Sequence, residues 1–189
     1  MYIHYENPCN MNNLKSFLIA AALFTAVQAS AQTDKETTIK LVEAKNLVFN
    51  ATTAYPLASV DINAILSKMP GGQSGSAIQL SGSRYQLKID KESIDSDLPY
   101  YGRAYTATRD PNESGIKFKS KDFAYTTEKK KKGNYVITIK PKDAKDVQSM
   151  TLNVTLNGYA TLNVNSTNRQ PITFYGYIAE SPKQDELSK

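Results

Sequence analysis

The sequence has almost none of the side chains that carry nucleophilic or metal-dependent chemistry. Its 189 residues include one cysteine, one histidine and no tryptophan. Both Cys9 and His4 lie ahead of a stretch with the character of a secretory leader. A chain that begins after this leader has no thiol and no imidazole. This excludes an internal disulfide, Ser-His-Asp and Cys-His catalytic arrangements and the usual Cys/His zinc site.

The stretch that begins at Met11 has the three parts of a signal peptide. Lys15 gives it a short positive start, Phe17–Val27 is an apolar run, and an Ala-Ser-Ala sequence ending at Ala31 follows. We therefore expect cleavage between Ala31 and Gln32. The apolar run is too short to span a bilayer comfortably, so we expect no transmembrane span in the mature form.

Residues 1–31 are thus predicted to be an upstream extension and a signal peptide. Residues 1–10 precede the leader, and Met1 and Met11 are alternative start codons. We expect an exported protein that remains in the periplasm, associates with the outer membrane or is secreted.

Residues 32–180 are predicted to form a single β-rich domain, with a disordered polar tail over residues 181–189. Their number is that of one ordinary domain with its own core. The formal net charge of the chain is +5, and leader removal leaves it unchanged because residues 1–31 carry one lysine and one glutamate. This mild basicity favours anionic surfaces but is too weak to argue for nucleic acid.

Apolar and polar residues alternate through much of the chain, which is typical of half-buried strands. The alternation is clear at 46–54 and 85–89, and from residue 115 onward it recurs with short linkers. We expect a mainly antiparallel all-β fold of about eight to ten strands, closed as a flattened barrel or sandwich. A short helix is predicted within Gln32–Lys45, with Thr33 or Asp34 as N-cap. Short strands are also expected near two weakly periodic stretches, Val60–Ile65 and Ile78–Leu80.

The Asn157-Gly158 pair suggests a two-residue hairpin turn that would pair Leu156 with Tyr159. That register would place the apolar row of one strand opposite the polar row of the next. A three-residue loop instead pairs Val154 with Ala160 and leaves both apolar rows on one face. Because a one-residue slip inverts a strand's faces, we predict the three-residue loop, with Gly158 left-handed in a bulge.

Four carboxylates precede Leu98, and the sequence places them in a loop: Asp90, Glu92, Asp95 and Asp97. A solvated turn is the simplest interpretation. Two alternatives are a Ca²⁺ site and an acid/base pair of a glycosidase that uses Asp95 or Asp97. We assign no catalytic residue, metal ligand or cofactor.

Lys129, Lys130, Lys131 and Lys132 are predicted to lie at the tip of a hairpin. Lysines there keep the tip soluble and discourage edge pairing. The alternative role is contact with an anionic surface such as lipid headgroups or a phosphorylated glycan.

A tyrosine-rich segment contains the candidate ligand-binding residues: Tyr100, Tyr101, Arg103 and Tyr105. They lie by a Pro-Gly bend rather than in regular alternation. Tyrosine rings and an arginine could hold a sugar or a carboxylate, or they could plug one end of a barrel with Arg103 paired to Asp95 or Asp97. Arg169 lies in a second irregular stretch and is a further candidate, with carbonyl capping as the alternative.

Four stretches together resemble domain-of-unknown-function family 4251, secreted proteins of Bacteroidetes: residues 98–105, 115–118, 158–162 and 168–172. The resemblance covers roughly residues 35–178. It implies an exported, single-domain protein of a Gram-negative bacterium. It implies no activity and no catalytic residues.

We therefore expect a non-enzymatic binding or interaction module of the cell envelope, with a glycan, lipid or protein as ligand. One alternative is a carboxylate-based hydrolase acting on envelope or dietary glycans. The other is a structural envelope component without a small ligand, which would present a free sheet edge or an apolar patch.

Overall fold

The computed structural model describes residues 33–57, 77–80, 85–105 and 115–181. The chain divides into two units, Met1–Ala31 and Gln32–Lys189, and every described residue belongs to the second. The predictions of a leader cleaved after Ala31 and of a strand near Val60–Ile65 lie outside the described residues, as does the predicted tail over 181–189 apart from Ser181.

Helix α1 (Lys35–Ala44) begins where an acidic cap is available. The Asp34 side chain accepts a hydrogen bond of 2.7 Å from the backbone N–H of Thr37. The helix ends at Ala44 and is capped by Lys45, whose backbone is left-handed with φ 51°. Leu41 and Val42 are buried and belong to the core. The predicted short N-terminal helix and its cap at Asp34 are confirmed.

All strand pairs are antiparallel, and the sheet is nearly closed into a barrel, which confirms the predicted fold class. In spatial order the path is β5-β4-β3-β1-β10-β9-β8-β7-β6, with β2 also paired to β1. The strands are β1 (Leu47–Pro56), β2 (Ile78–Gln79), β3 (Gln86–Ile89), β4 (Ile94–Leu98), β5 (Ile116–Ser120), β6 (Phe123–Lys129), β7 (Tyr135–Pro141), β8 (Val147–Val154), β9 (Tyr159–Ser166) and β10 (Ile172–Ala179).

The core lies on the inner face of this sheet, because alternate residues of each strand point inward. Phe49 and Phe174 are its largest fully buried side chains. Burying a phenylalanine contributes about 1.5–3 kcal/mol, so a core of this kind supports the fold without disulfides. Other fully buried members are Leu47, Leu87, Ile89, Ile94, Leu98, Ile137, Ile139, Met150, Leu152 and Leu162.

Strand β1 continues to Pro56, two residues beyond the alternation seen at 46–54. A β-bulge between Ala51 and Thr53 adds one residue to β1 relative to β10. Residues three positions apart in a regular strand point to opposite faces. Because of the extra residue, Ala51 and Ala54 are both buried. A strict period of two breaks at this bulge, so the alternation does not mark the end of the strand.

Gly176 lies on β10 directly opposite Ala51, beside this bulge. A Cβ atom at Gly176 would overlap the backbone carbonyl of Asn50. The close approach of β1 to β10 therefore requires glycine at this position.

The predicted hairpin register is confirmed. Thr155 N–H donates to the Tyr159 carbonyl at 2.8 Å, and Val154 pairs with Ala160. Gly158 has φ 79°, as the three-residue loop requires. Burial of the apolar rows thus determines the turn.

Candidate ligand-binding surfaces

The structure brings together the two irregular segments that contain the sequence-predicted ligand-binding residues. Ala104 and Arg169 form an isolated antiparallel bridge. Tyr105 N–H donates to the Asn168 carbonyl at 2.8 Å, and Gln170 N–H donates to the Arg103 carbonyl at 3.1 Å. We call this group the rim cluster, and its members are Tyr100, Tyr101, Arg103, Tyr105 and Arg169.

Arg169 is the buried charge of the rim cluster, with 6% of its side chain exposed. Its guanidinium donates a 2.8 Å hydrogen bond to the Gly115 carbonyl and lies 5.2 Å from the centroid of the Tyr100 ring. A weaker ion pair joins it to Asp146 at 3.8 Å. These contacts hold the start of β5 against the connection between β9 and β10.

Tyr100 and Tyr101 pack partly against the core. The Tyr100 hydroxyl lies 3.0 Å from each of two acceptors, the carbonyls of Arg103 and Gln170. Burial raises the pKa of Tyr100, against an opposing effect of the Arg169 charge. Burial also raises the pKa of Tyr101, with a smaller contribution in the same direction from Tyr85.

The rest of the rim cluster faces solvent. Arg103 is exposed, and Tyr105 is 66% exposed. The cluster therefore divides into a part that supports the fold, Tyr100 with Arg169, and a part that is accessible. Ligand binding by the accessible part stays a prediction.

Of the four acidic residues predicted to lie in a loop before Leu98, Asp90 and Glu92 lie between β3 and β4, but the other two do not. Asp95 and Asp97 lie on strand β4, not in a loop. Ile94, Ser96 and Leu98 point into the core, so the two aspartates share the outer face of the sheet.

Lysines across the strand pairs face these aspartates. Asp95 lies between Lys88 and Lys119, and Asp97 forms a 3.2 Å ion pair with Lys117. Two carboxylates on the same face of one strand do not face each other across a cleft, which a glycosidase pair requires. Within the described ranges, no three acidic, histidine or cysteine side chains come together as a metal site.

The lysine run lies at a hairpin, as predicted. Lys129 is the last residue of β6, and its Nζ lies 5.5 Å from the centroid of the Tyr135 ring. Lys130 forms a 2.6 Å ion pair with Glu128. Lys131 and Lys132 occupy the turn itself.

Sequence reasoning missed a tyrosine-bearing surface on the outside of β1, β9 and β10, which we call the tyrosine face. It consists of Tyr55, Tyr159, Tyr175 and Tyr177. Tyr55, Tyr159 and Tyr175 are 38%, 55% and 48% exposed, and Tyr177 is half-buried. The rings of Tyr55 and Tyr175 meet edge to face with centroids 4.9 Å apart, and Tyr177 pairs directly with Tyr159.

The tyrosine face follows β10 from Thr173, the cross-strand partner of Tyr55, to Tyr177. This is a length of about 13 Å, since each residue of a strand adds about 3.3 Å. Polar side chains lie between the rings at outward positions of β9 and β10, and Thr173 Oγ1 donates a 2.7 Å hydrogen bond to Asn163 Oδ1. The tyrosines at alternate positions of β10 were the signal in the sequence, but tyrosine favours strands on either face.

The described residues thus define an antiparallel, barrel-like all-β domain with one N-terminal helix and an aromatic outer face. The chain belongs to the family described as domain of unknown function (DUF4251), whose model matches residues 29–178. This confirms the resemblance seen in the sequence. No curated protein matches the chain.

A solved structure is similar in fold. It is the crystal structure of a DUF4251 family protein from Bacteroides eggerthii DSM 20697, with 12% sequence identity and a TM-score of 0.50. The match covers 77% of this chain and 87% of that chain. No helix among the described residues is long and apolar enough to cross a membrane.

Proposed function

We propose that this chain is an exported, non-enzymatic binding module of the cell envelope, and that it binds a glycan on the tyrosine face. The observation that carries the proposal is the exposure of Tyr159 and Tyr175 on a regular sheet, at 55% and 48%. Export is supported by the apolar run and cleavage sequence that end at Ala31.

A glycan fits this surface better than an apolar partner does. Sugar rings present C–H faces, which are attracted to the negative face of an aromatic ring, and hydroxyl edges, which need hydrogen-bond partners. The tyrosine face has rings flanked by the polar side chains of Thr161, Asn163 and Thr173. The outward positions within residues 159–163 of β9 and 173–177 of β10 carry no aliphatic side chain, and exposed Leu57 lies beyond the end of β1. The face is therefore aromatic and polar, which disfavours a lipid or a hydrophobic protein surface.

The alternative of a structural envelope component predicts a free sheet edge or an exposed apolar patch. Among the described strands, β6 pairs only with β7, and its residues from Thr126 to Lys129 are exposed. Glu128 and Lys129 place charges on that edge, which discourages pairing with another strand. The edge therefore supports this alternative less well than the tyrosine face supports glycan binding.

The test measures binding of the purified protein to immobilised polysaccharides: xylan, mannan, polygalacturonate and chondroitin sulfate. We expect Tyr159→Ala and Tyr175→Ala each to weaken binding about tenfold, since stacking on one exposed ring contributes on the order of 1 kcal/mol or more. Lys119→Ala, at an exposed position on β5, is the control and should bind as the wild type does.

A Tyr105→Ala variant tests the rim cluster in the same assay. If Tyr105→Ala abolishes binding and the two tyrosine-face variants do not, the ligand binds at the rim cluster and the assignment to the tyrosine face is wrong. Failure of all four polysaccharides to bind would refute the proposed function. Circular dichroism of each variant checks that the fold is intact.

A further inference from the structure

A groove lies beside the tyrosine face, at the turn between β6 and β7. Its volume is about 430 Å³, which is within the usual range for ligand pockets. Its floor includes outward side chains of three neighbouring strands: Val136, Asn153 and Thr161. Lysines 130–132 line the groove from the adjoining turn.

The lysines of the groove differ in how their charge is balanced. Lys130 is neutralised by Glu128 at 2.6 Å. In the part of the chain that the structure describes, no carboxylate lies within ion-pair distance of Lys131 or Lys132. The groove is therefore complementary to an anionic group.

The turn that carries the lysines is held in place by backbone contacts. Lys130 N–H donates to the Asn134 carbonyl, and Gly133 N–H donates to the Lys130 carbonyl, both at 2.8 Å. Gly133 has φ 84°, and a Cβ added there would lie 3.0 Å from the Leu156 side chain. Because the turn packs against its neighbour, the lysine backbone is positioned before a ligand arrives, which lowers the entropy lost on binding.

The groove is continuous with the tyrosine face. Thr161 lines the groove, and it pairs directly with Tyr175 on β10. Tyr159 precedes Thr161 by two residues and therefore lies on the same face of β9. One polymer chain can contact the tyrosine rings and the groove together.

We propose that the ligand is an acidic glycan, in which sugar rings stack on the tyrosine face and a carboxylate or sulfate group binds Lys131 and Lys132. This inference rests on the proposed function, because the tyrosine face binds the neutral part of the same polymer. Each lysine is expected to contribute about fivefold in affinity, the effect of one charge at about 4 Å in water.

The test compares two double variants that lose the same charge. Lys131→Gln with Lys132→Gln changes the groove, and Lys119→Gln with Lys121→Gln changes exposed positions outside it. We expect the groove variant to bind polygalacturonate or chondroitin sulfate about 25-fold more weakly and the control variant to lose less than about twofold. Binding to xylan and mannan should change in neither, and the wild-type preference for acidic polymers should fall as salt rises.

The outcomes separate this inference from the proposed function. Equal losses in both double variants would mean unspecific attraction to net charge and would overturn the inference. Wild-type binding to neutral polymers alone would overturn the inference and leave the proposed function standing. No polysaccharide binding would overturn both. The same variants are tested on vesicles that contain phosphatidylglycerol. If the wild type binds these vesicles but no glycan, and the groove variant does not bind them, the lysines contact a membrane instead.

Discussion

Replacing Arg169 with methionine removes a buried guanidinium and keeps a long side chain. The Gly115 carbonyl then loses a charged hydrogen-bond donor at 2.8 Å, which costs about 1.5–3 kcal/mol. The contact with the Tyr100 ring at 5.2 Å contributes about 1 kcal/mol, and the 3.8 Å pair with half-exposed Asp146 contributes less than about 1 kcal/mol. We expect Arg169→Met to lower the free energy of unfolding by about 3–5 kcal/mol.

Urea unfolding followed by circular dichroism measures this loss. With a slope of about 2 kcal/mol per molar urea, the midpoint should fall by roughly 1.5–2.5 M. Asp146→Asn is the matched control, because it weakens the ion pair but keeps a side-chain oxygen that can accept the 3.2 Å hydrogen bond from Asn168 Nδ2. It should cost under about 1 kcal/mol. Arg169→Lys should lie between the two, since an ammonium group cannot reproduce the planar arrangement of donors.

A change of less than about 0.5 kcal/mol for Arg169→Met, the range of an ordinary surface substitution, would refute this reasoning. Arg169 would then not support the fold, and its predicted role in ligand binding would become the better explanation of its position in the rim cluster.

Gly176→Ala should destabilise the protein by about 2 kcal/mol or more, because the added methyl group meets the backbone of Asn50 and the strands must separate; urea unfolding measures the loss. Tyr100→Phe should cost about 1 kcal/mol at neutral pH through loss of the hydroxyl's hydrogen bond. Burial raises the pKa of Tyr100 in the folded state. The contribution of the Tyr100 hydroxyl to the free energy of unfolding is therefore complete below the unfolded pKa of 10.0 and is lost as the pH rises through the folded pKa. The Tyr100→Phe variant should therefore lose less stability than the wild type in an alkaline titration. Asp34→Ala should lower the melting temperature at pH 7, because the hydrogen bond from Thr37 lowers the pKa of Asp34 and stabilises its charged form. That contribution is present above the unfolded pKa of 3.8 and is lost as the pH falls through the folded value, so the difference in melting temperature should shrink in acid.

The sequence predicts strands well where their alternation is uninterrupted. In β8 and β9 the apolar rows are regular, so burial alone determined the register and the left-handed conformation of Gly158. In β4 two of the five residues are aspartates, and the strand was mistaken for a loop. The lysines that balance them, Lys117 and Lys119, are distant in sequence and become neighbours only when β5 pairs with β4.

The candidate sites were harder to predict because they depend on contacts between strands. Tyr100 and Arg169 are far apart in sequence, and no local pattern indicates that the guanidinium lies beside the ring. The tyrosine face requires knowledge of which side of β10 points outward and which strand lies next to it. Tyr159 and Tyr177 become one surface only through the pairing of β9 with β10.

The pairing of β1 with β10 has a consequence for how the chain folds. The first strand lies between β3 and the last strand, so Phe49 finds its partner Ile178 only after nearly the whole domain is available. Forming this pair closes a long loop, and the entropy lost in closing it slows folding. All-β domains dominated by such long-range pairs fold in milliseconds to seconds. A chain that is threaded from its N-terminus through a narrow channel cannot complete this sheet until its last strand has emerged. The connectivity thus delays the joining of β1 to β9 through β10 until the end of the domain is available.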